Sequence, residues 1–190
     1  MQFDIEGMRA KALLITNPNS GYTLKDFNKE FGGTGLSEDP DHYKIKVKFS
    51  NKSSNQDPEY ATEGASGFDL RANLAYTIPV GKRAVIETGL FFELPNNFEI
   101  QIRPRSGLAA KNGITVLNSP GTVDSDYRGE IKVILINLGD EPFTIATGDR
   151  IAQAVITPVT AKNIVKLLKV TEISDNTERS SGGFGSTGKN

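Results

Sequence analysis

The stretch Glu130-Ile-Lys-Val-Ile-Leu-Ile136 begins by alternating and then becomes wholly apolar, as a half-buried strand does when it enters a core. Phe98-Glu-Ile-Gln-Ile102 alternates again, and Lys44-Ile-Lys-Val-Lys-Phe49 sets Ile45, Val47 and Phe49 against three lysines. Further strands are expected over residues 84–94, 150–159 and 164–170. Turn chemistry separates these segments at Pro79-Val-Gly81, Pro95-Asn-Asn97, Asn118-Ser-Pro-Gly121 and Leu138-Gly-Asp-Glu-Pro142. Many short strands with regular turns and almost no helical periodicity predict an all-β protein, a β-sandwich or jelly roll.

The pattern changes near residue 43. Before it, Tyr22-Thr-Leu-Lys-Asp-Phe-Asn-Lys-Glu-Phe-Gly-Gly33 predicts one short helix, with Thr23 as N-cap, Asp26 completing a weak capping box, Phe27 and Phe31 sharing a face, and Gly32 as the stop. Residues 32–41 read as a linker. The chain is thus expected to consist of an N-terminal extension (1–42), a β domain (43–178) and a flexible C-terminal arm (179–190).

That arm, Arg179-Ser-Ser-Gly-Gly-Phe-Gly-Ser-Thr-Gly-Lys-Asn190, contains G-x-x-x-x-G-K from Gly183 to Lys189. A phosphate-binding P-loop needs Ser or Thr next and a helix to follow, and the sequence supplies neither. What remains is a chain of glycines and hydroxyls that carries the fixed cation Arg179 and one aromatic face, Phe184. Such a segment is either a solvated tail or a clasp for a polyphosphate.

Composition narrows the chemistry. The 190 residues include no Cys and a single His, His42, far in sequence from any motif, which excludes thiol and imidazole mechanisms and the usual zinc sites. Catalysis must rest on carboxylates, Arg, Lys, Tyr or hydroxyls, with a hard cation such as Mg2+ where phosphate is handled. A formal charge of −1 argues against a nucleic-acid surface and for free nucleotide. No apolar run approaches a membrane span and the N-terminus lacks a signal peptide's features, so an intracellular, cytoplasmic protein is expected.

Polar clusters fall where loops should be: Ala65-Ser-Gly-Phe-Asp-Leu-Arg-Ala72, Arg103-Pro-Arg-Ser-Gly-Leu-Ala109, Gly121-Thr-Val-Asp-Ser-Asp-Tyr-Arg-Gly129 and Gly148-Asp-Arg-Ile-Ala-Gln153. Each alone is compatible with ordinary turn and surface chemistry. In order, and with the C-terminal arm as the fifth, they resemble the five motifs of the homotrimeric dUTP pyrophosphatases, the dUTPases. The resemblance runs from about Lys44 to Lys189 and leaves the N-terminal extension without a counterpart. It implies a β jelly roll, hydrolysis of dUTP to dUMP and pyrophosphate with Mg2+, and a homotrimer whose three sites lie at subunit interfaces.

The resemblance also implies roles for single residues. Asp124 corresponds to the base that orients and deprotonates water for attack on the α-phosphorus, with Asp126 supporting the hairpin. Tyr127 corresponds to the ring that packs on the sugar and leaves no room for a 2′-hydroxyl. Asn118, Thr122, Val123 and Lys132 match positions that contact the nucleoside, through side chain or backbone. Arg105, Ser106, Gly107 and Gln153 match the phosphate-binding positions, and Asp69 is expected near the metal, acting through water. In the arm, Arg179 would meet the γ-phosphate, Phe184 would stack on uracil, and Gly185, Ser186 and Thr187 would donate to phosphate. Two other functions compete: a dCTP deaminase of similar architecture, against which stands the lack of a suitably placed Glu in the hairpin, and a non-catalytic dUTP-binding regulator.

Overall fold

A computed structural model describes residues 20, 21, 23, 26, 29, 44–160 and 164–182. The chain divides into two compact units, Met1–Val47 and Lys48–Asn190. In the first, Thr23 and Asp26 exchange the bonds of a capping box: the Thr23 N–H donates to Asp26 Oδ2 at 2.8 Å, and the Asp26 N–H donates to Thr23 Oγ1 at 3.2 Å. Tyr22, Phe27, Phe31 and Gly32, which would complete the expected helix, lie outside the described residues.

The described residues of the second unit form short strands and one helix: β1 (Lys48–Asn51), β2 (Phe68–Arg71), β3 (Tyr76–Ile78), β4 (Arg83–Glu87), β5 (Leu90–Glu93), β6 (Phe98–Arg103), α1 (Ser106–Asn112), β7 (Ile114–Val116), β8 (Gly121–Val123), β9 (Lys132–Asn137), β10 (Phe143–Ile145) and β11 (Arg150–Pro158). Every pairing is antiparallel. Four strands join in the order β2-β11-β6-β8 and three in the order β4-β9-β7, while β1-β5 and β3-β10 form ribbons. Alternation does what the sequence requires of it. Ile100 and Ile102 of β6 and Val133 and Leu135 of β9 point inward and are buried with Leu70, Ile78 and Ile151. An all-β fold with a core between sheet faces is the result.

Four expectations are corrected. Residues 84–94 are two strands, not one. At Gly89 the backbone turns to φ +72°, and a side chain there would run into Ser53. The chain thereby leaves β9, the partner of β4, and joins β1 through β5. Buried Thr88 seals this corner: its hydroxyl donates to the Ile131 carbonyl at 2.6 Å and accepts the Leu90 N–H at 3.2 Å.

The second correction concerns Ser106–Asn112, which form α1 where a loop was expected. Its seven residues are too few to show helical periodicity in sequence, and Gly113 at φ +66° ends it. Third, residues 164–170 form no strand, and Leu167 is 93% exposed. Among the described residues this segment pairs with no strand. Fourth, the alternating stretch near residue 44 becomes a strand only from Lys48, and both Ile45 and Phe49 remain exposed.

Candidate active site

The hairpin expected for the third motif is instead a tight turn that links β8, paired with β6, to β9, paired with β4 and β7 in another sheet. Tyr127 N–H donates to the Asp124 carbonyl at 3.1 Å, and Arg128 Nη1 donates to the Ser125 and Tyr127 carbonyls at 2.7 and 2.9 Å, which fixes the tip. Asp124, Asp126 and Tyr127 are exposed. The Asp124 carboxylate makes no hydrogen bond or ion pair among the described residues, so it is free to hold a ligand's proton. The Tyr127 ring lies directly over Gly129, against the position a side chain would occupy, and its hydroxyl donates to the Glu130 carbonyl at 3.1 Å.

A cavity of about 250 Å3 opens against this hairpin and is lined by Thr122, Val123, Asp124, Tyr127 and Lys132, with Val85 and Ile134 behind them. Lys132 is held by Glu87 at 2.7 Å and Glu130 at 3.5 Å, and the Glu87 carboxylate raises its pKa above the ordinary lysine value. Asn118 stands outside this lining, exposed, beside Gly121 at the foot of β8.

The first, second and fourth motifs meet elsewhere. Asp69 on β2 faces Gln153 on β11, which in turn faces Arg103 on β6. Asp69 also binds two guanidinium groups, Arg105 Nε at 3.2 Å from Oδ1 and Arg150 Nη1 at 3.2 Å from Oδ2. Arg105, Ser106 and Gly107 run from the end of β6 into the first turn of α1. A side chain at Gly107 would meet nothing within 4 Å, so packing within this chain does not explain the glycine. A second cavity of about 250 Å3 is lined by Arg105, Leu108, Phe143, Asp149, Arg150 and Ile151. It shares no residue with the hairpin cavity.

Strand β6 explains this separation. Val123 stands opposite Ile100 and Gly121 opposite Ile102, so the hairpin tip leaves toward the Phe98 end of β6, whereas Arg105 follows the opposite end. From the level of residue 99 to Arg103 the strand rises roughly 13 Å at about 3.3 Å per residue. Within one chain Asp124 and Arg105 are therefore too far apart to act on adjacent atoms of one phosphate.

In the arm, Arg179 Nε donates to the Gly182 carbonyl at 2.9 Å. Phe184, Gly185, Ser186 and Thr187 lie outside the described residues. Among the described residues no group of three or more His, Cys, Asp or Glu could hold a metal, and Asp69 is shared between two arginines. This donor set fits a hard cation that is carried on phosphate oxygens and touches the protein through water. No helix among the described residues is long and apolar enough to cross a membrane.

Residues 44–188 match the family model described as dUTPase. The chain belongs to the dUTPase family. It is 62% identical over 135 residues to the deoxyuridine 5'-triphosphate nucleotidohydrolase of Rhizobium rhizogenes, covering 69% of this chain and 84% of that one. The enzyme of the same description from Nautilia profundicola is 56% identical over 146 residues, covering 77% and 99%. The dUTPase of Staphylococcus bacteriophage 80alpha with dUPNHPP superposes with a TM-score of 0.66 at 24% identity, over 75% of this chain and 98% of that chain. A dUTPase variant from phage phi11 of S. aureus, described with a structural Mg(II) ion, superposes with a TM-score of 0.60 at 20% identity, over 67% and 97%. These likenesses show the dUTPase fold. Sequence reading singled out Gln153 in the fourth motif but passed over Arg150, three residues earlier, whose place beside Asp69 depends on strand register.

Proposed function

We propose that this dUTPase hydrolyses dUTP to dUMP and pyrophosphate, with Asp124 as the general base. The observation that carries the reading is the hairpin cavity, where an unpartnered carboxylate, an aromatic ring and backbone groups of β8 converge within the matched region. Asp124 would hold water by a hydrogen bond and accept its proton as the oxygen attacks the α-phosphorus. The Tyr127 ring would press on the deoxyribose, and the backbone of Thr122 and Val123 would read the uracil edge. Polar readout in a tight hairpin discriminates far better than an apolar pocket does.

Arg105, Ser106, Gly107 and Gln153 would bind the polyphosphate, where charge develops in the transition state. Because β6 sets Asp124 and Arg105 at opposite ends, we assign them to sites shared between chains of a homotrimer, the hairpin of one subunit facing the phosphate cluster of another. The arm would complete the site through Arg179, Phe184, Gly185, Ser186 and Thr187. Mg2+ bound with the triphosphate would neutralise charge on its oxygens, with Asp69 touching it only through water. Such activity in the cytoplasm would keep uracil out of DNA and supply dUMP for thymidylate.

Product analysis tests the reading: dUMP with pyrophosphate from dUTP supports it, whereas dUTP formed from dCTP, or unchanged nucleotide, refutes it. Replacing Asp124 by Asn keeps the shape and removes the proton acceptor. Turnover is expected to fall by roughly two orders of magnitude or more while nucleotide still binds.

A further inference from the structure

Arg150 is out of step with its strand. Gln153 of β11 pairs with Asp69 and Ala152 with Leu70, but Arg150 pairs with Arg71, so Ile151 is an extra residue in the ladder. Ile151 and Ala152 are both turned into the core, 1% and 0% exposed. Strict alternation would have sent Arg150 inward with Ala152. The bulge instead delivers it to the face that carries Asp69.

There it meets Asp69 at 3.2 Å, and its backbone carbonyl accepts a hydrogen bond from Arg105 Nη1 at 2.9 Å. Arg105 is thus held through Nη1 by that hydrogen bond, and its Nε lies in ion-pair contact with Asp69 Oδ1 at 3.2 Å without hydrogen-bond geometry. The Nη2 edge is left without a protein partner among the described residues. An arginine and a carboxylate left to themselves favour the two-pronged fork, in which both carboxylate oxygens are taken by one guanidinium. Here Arg105 does not make that fork: Nη1 is drawn to the Arg150 carbonyl, and Arg150 holds the carboxylate from its other oxygen.

We propose that Arg150 is a positioning residue: its side chain orients the Asp69 carboxylate through Oδ2 and its backbone carbonyl holds Arg105 through Nη1, which leaves the Nη2 edge of Arg105 for the substrate's phosphates. The inference rests on the proposed role of Arg105 in dUTP hydrolysis. Arg150 does not itself touch substrate, and Asp69 acts as the anchor of both guanidinium groups.

Steady-state hydrolysis of dUTP by the full chain tests this. Wild-type protein is assayed first, because absence of dUTP hydrolysis there would sink the functional reading and not the positioning of Arg105. Arg150→Gln is expected to raise KM about tenfold with kcat changed less than threefold. Its circular dichroism and oligomer mass should match wild type. Arg150→Lys, which returns one cationic donor to Oδ2, should recover part of the loss, leaving KM about threefold raised. In an Arg105→Ala background, Arg150→Gln should add less than a twofold further change. An unchanged KM in Arg150→Gln overturns the proposal, and so does a full tenfold loss on top of Arg105→Ala, which would mean that Arg150 acts on phosphate independently. If the Gln variant does not fold, Arg150→Lys carries the test, and a wild-type KM in it overturns the proposal.

Discussion

Gly129→Ala asks a narrow question of the hairpin. The Tyr127 ring and hydroxyl occupy the space that an alanine methyl would need. Gly129 is not among the residues with positive φ, so alanine suits the backbone and the perturbation falls on the ring alone. To admit the methyl, Tyr127 must swing out, and its 3.1 Å bond to the Glu130 carbonyl breaks. That bond is exposed at the tip and contributes about 0.5–1.5 kcal/mol to holding the ring in place. If the held ring is the one that packs on the sugar, the same free energy is lost from nucleotide binding, a weakening of about twofold to twelvefold. Global stability should fall by no more than the contribution of that one bond, about 0.5–1.5 kcal/mol, since the substitution buries and exposes no core surface. Calorimetric titration with a non-hydrolysable dUTP analogue reads the binding change, and the ratio of kcat/KM for dUTP over UTP reads selectivity, which should narrow because the displaced ring no longer excludes a 2′-hydroxyl. Unaltered affinity together with an unaltered ratio would refute the placement of Tyr127 against the sugar.

Three further outcomes are expected. Asn137→Ala removes a buried amide that donates to the Ile78 and Glu141 carbonyls at 3.0 and 2.8 Å and accepts the Gly139 N–H at 2.9 Å; it should cost about 2–4 kcal/mol and lower the thermal midpoint by roughly 4–16 °C, with a shift under 2 °C contradicting it. Deleting residues 179–190 should leave the β core and its assembly intact while turnover drops severely, and hybrids of that truncated chain with Asp124→Asn should regain part of the activity. No recovery, with subunit exchange verified by mass, would mean that arm and base of one site come from the same chain or that the arm is not a catalytic clasp. A chain beginning at Tyr43 should hydrolyse dUTP at close to the full-length rate, and a folded, trimeric but inactive product would make the N-terminal extension part of the site.

How far the sequence could be read follows from the range of the physics involved. Ile100, Ile102, Val133 and Leu135 were legible as core because alternation is local. Thr122, Val123, Asp124 and Tyr127 were singled out through the resemblance of one contiguous motif, and the structure lines a single cavity with them. Gly89 was not, since a lone glycine in an apolar run does not reveal that the chain changes sheets there. The helix after Arg105 was hidden by its length. Arg150 was hidden by the bulge, because an extra residue in the ladder reverses the face of everything beyond it and leaves no local mark. The strand expected over residues 164–170 failed for the complementary reason: apolar content shows what a segment would bury, not whether it pairs with another strand.

The staple at the foot of the hairpin has a consequence for how such a protein can change. Thr88 ties the corner between β4 and β5 to Ile131, and Gly89 N–H donates to Glu130 Oε1 at 2.8 Å, so the base of the hairpin is built into the interior. The tip, residues 124–128, touches none of these bonds. Mutations arising at the tip are therefore screened by what they do to ligand choice, and mutations at the base by what they do to folding. A lineage could drift in nucleotide preference with its thermal tolerance unmoved, and an engineer could randomise the rest of the tip as a cassette while leaving Thr88, Glu130 and the proposed base Asp124 fixed.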